Sequence, residues 1–212
     1  DKSSWVARAL SLGMDSFALV DQEARFSAGL LTHFSGGGGV FRRAALVDVG
    51  GWDSQTLAED LDLSIRLRIG GWRYVYDHSV PCPGEAPTSF PVLRNQQFRW
   101  ASGFAGCLKK YARSLVASKR MSLLQKMEAL TYLTGYVASP LIAAGVVLAV
   151  LYCLIFPLDF IVNGFRYNVL ASFTVLVSAL IYTAPLALFM AAVLRSTEGW
   201  PHRIGRVIDL IY

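Results

Sequence analysis

The chain has 212 residues, 54% hydrophobic and 17% charged, with a formal net charge of +5, a sequence pI near 9.2 and a mean hydropathy of +0.42. A soluble domain carries about a quarter charged residues, and here the charge is uneven, since residues 1–128 hold 16 of the 20 Lys and Arg and 12 of the 15 Asp and Glu. The pattern excludes one uniform globule, a disordered chain, which needs low hydrophobicity, and a disulfide-stapled module, which needs many cysteines.

Cys82, Cys107 and Cys153 are odd in number, lack metal-ligand spacing and are read as reduced thiols. The chain opens on Asp1 rather than Met and stops inside an apolar pattern at Asp209-Leu210-Ile211-Tyr212, which predicts a piece cut at both ends.

In chain order, periodicity predicts a helical opening over about 5–31, a strand-like stretch over 34–41, a short helix over 43–49 and a helix over 57–69. A strand over 72–76, a loop holding Pro81, Pro83, Pro87 and Pro91, and a helix through 96–113 follow. Gly50-Gly51-Trp52 and Gly70-Gly71-Trp72 read as helix-stopping glycines followed by a packing aromatic. Mixed α/β architecture is the simplest reading of residues 1–108.

Beyond residue 108 the material changes. Residues 109–128 set Lys109, Lys110, Arg113, Lys119, Arg120 and Lys126 among apolar side chains, the pattern of a helix lying in a membrane interface or of a basic connector touching headgroups. Residues 129–158 and 168–194 carry no charge at all, and each run is long enough to cross a bilayer core. Pro140 and Pro185 lie within these runs, where membrane helices tolerate them. Positive charge precedes the first run, and Arg195, Arg203 and Arg206 follow the second, while the connection between them holds Arg166 alone. The positive-inside rule then places both ends in the cytoplasm. Residues 200–212 form a basic amphipathic segment.

Three clusters carry chemistry. Thr56-Leu57-Ala58-Glu59 fits a capping box, which predicts a helix start with Asp60 and Asp62 in its first turn. Carboxylates suit the positive end of a helix dipole, and one held there beside a cleft also suits a general base; spacing alone does not choose. Gln96, Arg99 and Trp100 sit at i, i+3 and i+4, so an amide, a guanidinium and an indole share one helical face. Such a face can bind a phosphorylated sugar or be an ordinary packed helix. Gly36 to Gly39 permit close backbone approach to a ligand, yet they lack the lysine of a P-loop and the dinucleotide fingerprint.

As an ordered set, Phe34-x-Gly36, Arg42-Arg43, Gly50-Gly51-Trp52, Thr56-Leu57-Ala58-Glu59-Asp60, Gly71-Trp72, Glu85-x-Pro87 and Gln96-Gln97-x-Arg99-Trp100-Ala101-x-Gly103 resemble the membrane-bound family 2 glycosyltransferases. These are the cellulose, mannan and hyaluronan synthases. The resemblance covers about residues 15–130 and agrees with the apolar runs that follow. It implies three regions: the acceptor-side half of a doubly wound α/β GT-A domain over 1–108, an amphipathic interface helix over 109–128, and a membrane region over 129–212 with spans at about 129–157 and 168–194.

The resemblance also implies site residues. Asp60 takes the place of the catalytic base beside Glu59, Gln96, Arg99 and Trp100 take the places that meet donor diphosphate and acceptor sugar, and Phe34, Gly36 and Gly37 line the acceptor end. Ala58 stands where relatives carry Thr, and Gly37 where they carry a small hydroxyl residue.

The implied function is inverting transfer from a UDP- or GDP-sugar to a growing β-linked polysaccharide, at a plasma or inner membrane, with the catalytic part cytoplasmic. The alternatives are a ceramide-type glycolipid glycosyltransferase, a non-catalytic membrane scaffold subunit and a basic membrane-surface module; nothing points to nucleic acid. The family's metal, Mg2+ or Mn2+, is expected in the full-length enzyme, on carboxylates outside this chain. Asp60-Leu61-Asp62 is the one D-x-D present, and it coincides with the base position rather than with the metal motif. This chain alone is therefore expected neither to bind donor nor to transfer sugar.

Overall fold

The structure is a computed structural model that describes residues 4–155, the side chains at 146, 149, 150, 152 and 153 excepted. The expected span over 168–194 and the segment over 200–212 lie outside the described residues. Ser4 opens α1 (Trp5–Ser16), its hydroxyl accepting from the Ala7 amide at 3.1 Å. The helix continues through a π-helical turn, Phe17–Gln22, into α2 (Glu23–Ser27), so the helical opening stops a turn short of residue 31.

Residues 34–41 form a loop, not a strand. Gly36 and Gly38 adopt φ of 84° and 66°, left-handed values that a strand does not contain. The chain then forms α3 (Arg43–Asp48) and α4 (Glu59–Gly70), close to the expected helices. Both end as the glycine pairs predict: Gly51 donates to Leu46 O at 2.7 Å, Trp72 donates to Leu67 O at 3.0 Å, and Gly71 takes φ of 86°. Residues 72–76 alternate in burial, with Trp72, Tyr74 and Tyr76 half-buried between exposed Arg73 and Val75. No β-ladder includes them, and among the described residues there is no β-strand. The regular elements among the described residues are all helical, so the strands of the α/β expectation are not seen in them.

The capping box at Thr56 does not form. The Thr56 hydroxyl donates instead to Asp53 Oδ2 at 3.2 Å, Asp53 Oδ1 accepts the Gln55 amide at 2.9 Å, and α4 begins after Ala58 without a side-chain cap. The hydroxyl is turned toward the loop aspartate three residues upstream rather than toward the helix amides.

After the proline-rich loop comes α5 (Phe90–Ala117), with Pro91 in its first turn, where its missing amide costs nothing; Pro91 belongs to the helix rather than to the loop. Residues 109–128 are likewise not one interface helix. Ser118 leaves helical backbone at ψ 126°, a turn follows, and α6 (Leu123–Ile155) starts anew. A capping box operates there, since Ser122 Oγ accepts from the Gln125 amide at 3.3 Å and Gln125 Oε1 from the Ser122 amide at 2.9 Å.

The 33 residues of α6, with Pro140 inside, extend about 50 Å at 1.5 Å per residue. Ala129 and Leu133 are buried, whereas Leu141, Leu148, Leu154 and Ile155 are exposed. Among the described residues no helix is long and apolar enough to cross a membrane; within α6 the described side chains of the apolar part are interrupted at 146, 149, 150, 152 and 153.

The core gathers around α4. Leu61 and Ile65 pack with Leu31, Cys107, Leu115 and Leu133 on one side, and Leu63 and Leu67 with Ala45, Phe41 and Trp72 on the other. A helix buried on two faces needs apolar residues all round, yet Asp62 is 0% exposed in its midst. Lys110 Nζ at 2.7 Å and the Tyr111 hydroxyl at 2.6 Å donate to its Oδ1, and Arg66 Nε donates to Oδ2 at 2.7 Å. This carboxylate ties α4 to α5. Burial opposes its charge, but hydrogen bonds from Lys110, Tyr111 and Arg66 outweigh burial and hold its pKa below the usual range.

Changing Asp62 to Asn is expected to cost about 3 kcal/mol of unfolding free energy, because it strands buried donors, and thermal unfolding followed by circular dichroism measures it. The lowered pKa means that the unfolded chain binds the proton more tightly. The stabilisation is complete above the ordinary carboxylate range and is lost as pH falls through the folded value. The acid limb of the stability profile should accordingly flatten in Asp62→Asn.

Candidate active site

Asp60, the second residue of α4, is the centre of the site. Its Oδ1 accepts from the Leu61 amide at 2.7 Å and lies 3.7 Å from His33 Nε2. Its Oδ2 faces the glycine loop, where a Cβ on Gly36 would come within 3.4 Å. The side chain is 22% exposed, so the carboxylate is largely screened from bulk water.

The glycine loop is fastened to the same turn. The Phe34 amide donates to Ser64 Oγ at 2.9 Å, and that hydroxyl donates to the Asp60 carbonyl at 2.7 Å. The Phe34 ring meets Phe41 edge-on and occupies the space that a side chain on Gly39 would need. Gly37 faces the exposed Cys82 rather than Asp60. Phe34 and Gly36 thus join Asp60, and Gly37 does not.

His33 carries no motif and was not singled out from the sequence. Its amide donates to Gln22 Oε1 at 3.1 Å, its Nδ1 lies 3.1 Å from the Tyr132 hydroxyl, and Phe17 and Phe104 stand edge-on to its ring at 6.0 and 5.8 Å. The remaining nitrogen, Nε2, is buried without a hydrogen bond and faces Asp60. For Asp60, burial pushes the pKa up, but His33 and the Leu61 amide more than offset it, and the net direction is below the usual carboxylate range. The group is therefore ionised at neutral pH.

The face bearing Gln96, Arg99 and Trp100 runs along α5 into the buried stripe Gly103, Cys107, Tyr111 and Leu115. Gly103 lies against Ala58, the residue before α4, so closely that a Cβ there would come within 2.5 Å of the Ala58 Cβ. One helical turn separates this contact from Arg99 and Trp100. No direct contact links Gln96, Arg99 or Trp100 to Asp60 among the described residues. Trp100 is half-buried, Arg99 is exposed, and Gln96 presents a buried Oε1 with no hydrogen-bond partner. The neighbouring Gln97 instead accepts from the Tyr136 hydroxyl at 3.2 Å, pinning α5 to α6. Glu59 is exposed in the first turn of α4.

These residues do not fit a divalent metal. No three metal-ligating side chains cluster among the described residues, and both oxygens of Asp62 are taken by Lys110, Tyr111 and Arg66, so Asp60 and Asp62 do not act as a pair. Cys107, buried beside Asp62, has its thiol pushed up to about 12 by burial and by that charge and is chemically inert.

The Gly103 contact sets the separation of α4 and α5. Gly103→Ala is expected to cost about 1–3 kcal/mol by overpacking, with substantial recovery in the double variant Gly103→Ala/Ala58→Gly. Additive losses in thermal unfolding would count against the contact.

The sequence model of glycosyl transferase family group 2 matches residues 3–195. Over 161 residues the chain is 34% identical to a probable glucomannan 4-beta-mannosyltransferase 7 of Oryza sativa subsp. japonica, covering 75% of this chain and 27% of that protein. It is 34% identical over 152 residues to glucomannan 4-beta-mannosyltransferase 1 of Cyamopsis tetragonoloba (72% and 28%) and 32% identical over 152 residues to glucomannan 4-beta-mannosyltransferase 9 of Arabidopsis thaliana (72% and 28%). The chain spans about a quarter of the length of these relatives. No solved structure matches it. Its ordered motifs and this match along most of its length carry one conclusion: the chain belongs to family group 2 of the glycosyl transferases.

Proposed function

We propose that this chain is the acceptor-side part of an inverting membrane hexosyltransferase that adds a sugar, mannose being the one that the relatives' names favour, to a β-linked polysaccharide such as glucomannan. In this mechanism the acceptor hydroxyl attacks the anomeric carbon of a UDP- or GDP-sugar. A new glycosidic C–O bond forms, the C–O bond to the diphosphate breaks, and the hydroxyl proton passes to Asp60 Oδ2 and then to water. The hydroxyl becomes acidic only as the new bond forms, so a carboxylate with a low pKa still accepts its proton, and holding it ionised beforehand keeps every molecule competent. Arg99 offsets the charge of the departing diphosphate and Trp100 stacks on the acceptor sugar; positioning and charge stabilisation supply most of the rate. The enzyme's Mg2+ or Mn2+ belongs to carboxylates outside this chain, and no step above passes through it.

The observation that supports this reading most is the seating of the Gly36 loop on Asp60 Oδ2 at the start of α4, with Gly103 of the Arg99–Trp100 helix packed against the adjoining Ala58. His33 enters as a positioning residue that keeps Asp60 charged and turned.

The apolar part of α6 is proposed to cross the bilayer beyond Leu133, with the catalytic part cytoplasmic. Exposed Leu141, Leu148, Leu154 and Ile155 support this, as does the absence of charge from 129 to 158.

In the full-length enzyme, Asp60→Asn should lower kcat by about 10²- to 10⁴-fold with donor Kd unchanged; equal loss of both overturns the base assignment. His33→Gln should leave donor Kd intact and move the acid limb of the kcat profile to higher pH, because losing the partner lets the Asp60 pKa rise. An unmoved limb removes His33 from the mechanism. Gel filtration of radiolabelled product separates polymer from glycolipid.

A further inference from the structure

The opposite end of α4 carries a differently charged recess. A cavity of about 660 Å³ opens there, lined among others by Arg68, Arg73, Arg120, Thr32, Tyr74 and Gln125, with no Asp or Glu on its wall. From Asp60 to Arg68 is eight residues of helix, about 12 Å along the axis, so this recess is separate from the candidate active site.

Two of the three guanidiniums are held in place by main-chain carbonyls. Arg120 donates to Gly70 O, lying across Gly71, where a Cβ would come 2.9 Å from its Nη1. Arg68 donates to Gly29 O, which also accepts from Gln125 Nε2 at 3.0 Å. These bonds fix the side chains without neutralising them. The Arg68 Nε is buried with no hydrogen-bond partner, a donor that burial penalises until something accepts from it. Arg73 is exposed at the rim, and no salt bridge involves Arg68, Arg73 or Arg120 among the described residues. Three cations around one recess repel each other unless an anion lies between them. Guanidiniums in this setting suit the tetrahedral, multi-oxygen acceptor that phosphate provides.

We propose that this recess binds a phosphate group, supplied by an anionic lipid headgroup. Arg120 and Gln125 flank the start of α6, where Leu123, Leu124 and Met127 are 74%, 70% and 59% exposed. Cations one turn from uncovered apolar side chains stand where headgroup phosphates meet acyl chains. The recess is thus a lipid anchor at the foot of α6, independent of the sugar chemistry at the other end of α4.

The test uses the full-length protein in neutral detergent, titrated calorimetrically with short-chain phosphatidylglycerol below its micellar concentration and, separately, with inorganic phosphate. Saturable phosphatidylglycerol binding is expected, weakened about tenfold in Arg73→Ala, the loss of one charge-assisted hydrogen bond, and largely recovered in Arg73→Lys. Arg73 is exposed, so its variants should keep the wild-type thermal midpoint. Inorganic phosphate binding with the same Arg73 dependence upholds the phosphate site and, if the lipid binds no more tightly, reassigns its source to free phosphate. No saturable binding of either, or affinity unchanged in Arg73→Ala, overturns the proposal.

Discussion

One buried carboxylate organises this protein. Asp62 brings a negative charge into the apolar centre of α4, which is tolerable only because Lys110, Tyr111 and Arg66 converge on it. Lys110 reaches on to Asp53 at 2.8 Å, and Asp53 in turn holds Thr56 and Gln55, so one ion cluster fixes both the packing of α5 on α4 and the path by which the loop enters α4. Asp60, two residues from Asp62, inherits its position from that cluster. The two aspartates differ in setting: the buried one is wholly engaged, and Asp60 stays partly exposed.

The sequence disclosed the elements whose causes are local. The helices α3 and α4 and their glycine stops were legible because the stop chemistry sits beside the residues it stops. The expected capping box is absent at Thr56, whose hydroxyl turns to Asp53 just upstream, and a working one at Ser122–Gln125 hid within what read as a continuous interface helix. Alternation over 72–76 is present as burial, but a strand is a property of two segments, and period alone does not supply the second. Two of the three partners of Asp62, Lys110 and Tyr111, lie 48 and 49 residues downstream, and His33 reaches Asp60 across 27 positions with no spacing to announce it. Both are products of packing, which a linear reading does not contain.

Charge is arranged along α4 from end to end. Its first turn holds Glu59, Asp60 and Asp62, and its last holds Arg68, each sign opposite to the helix dipole that it faces. The distribution that steadies the helix also leaves its two ends oppositely charged, an ionised carboxylate at one and unneutralised guanidiniums at the other.

The length of α5 has a mechanical consequence. As a single helix of 28 residues, about 42 Å long, it carries Gln96, Arg99 and Trp100 near one end and delivers the chain to Arg120 just past the other. An uninterrupted hydrogen-bonded rod resists bending, and the Gly103–Ala58 contact sits between its ends. A displacement at the Arg120 turn would therefore be passed along one stiff element toward the turn that bears Gln96, Arg99 and Trp100, rather than being absorbed between them.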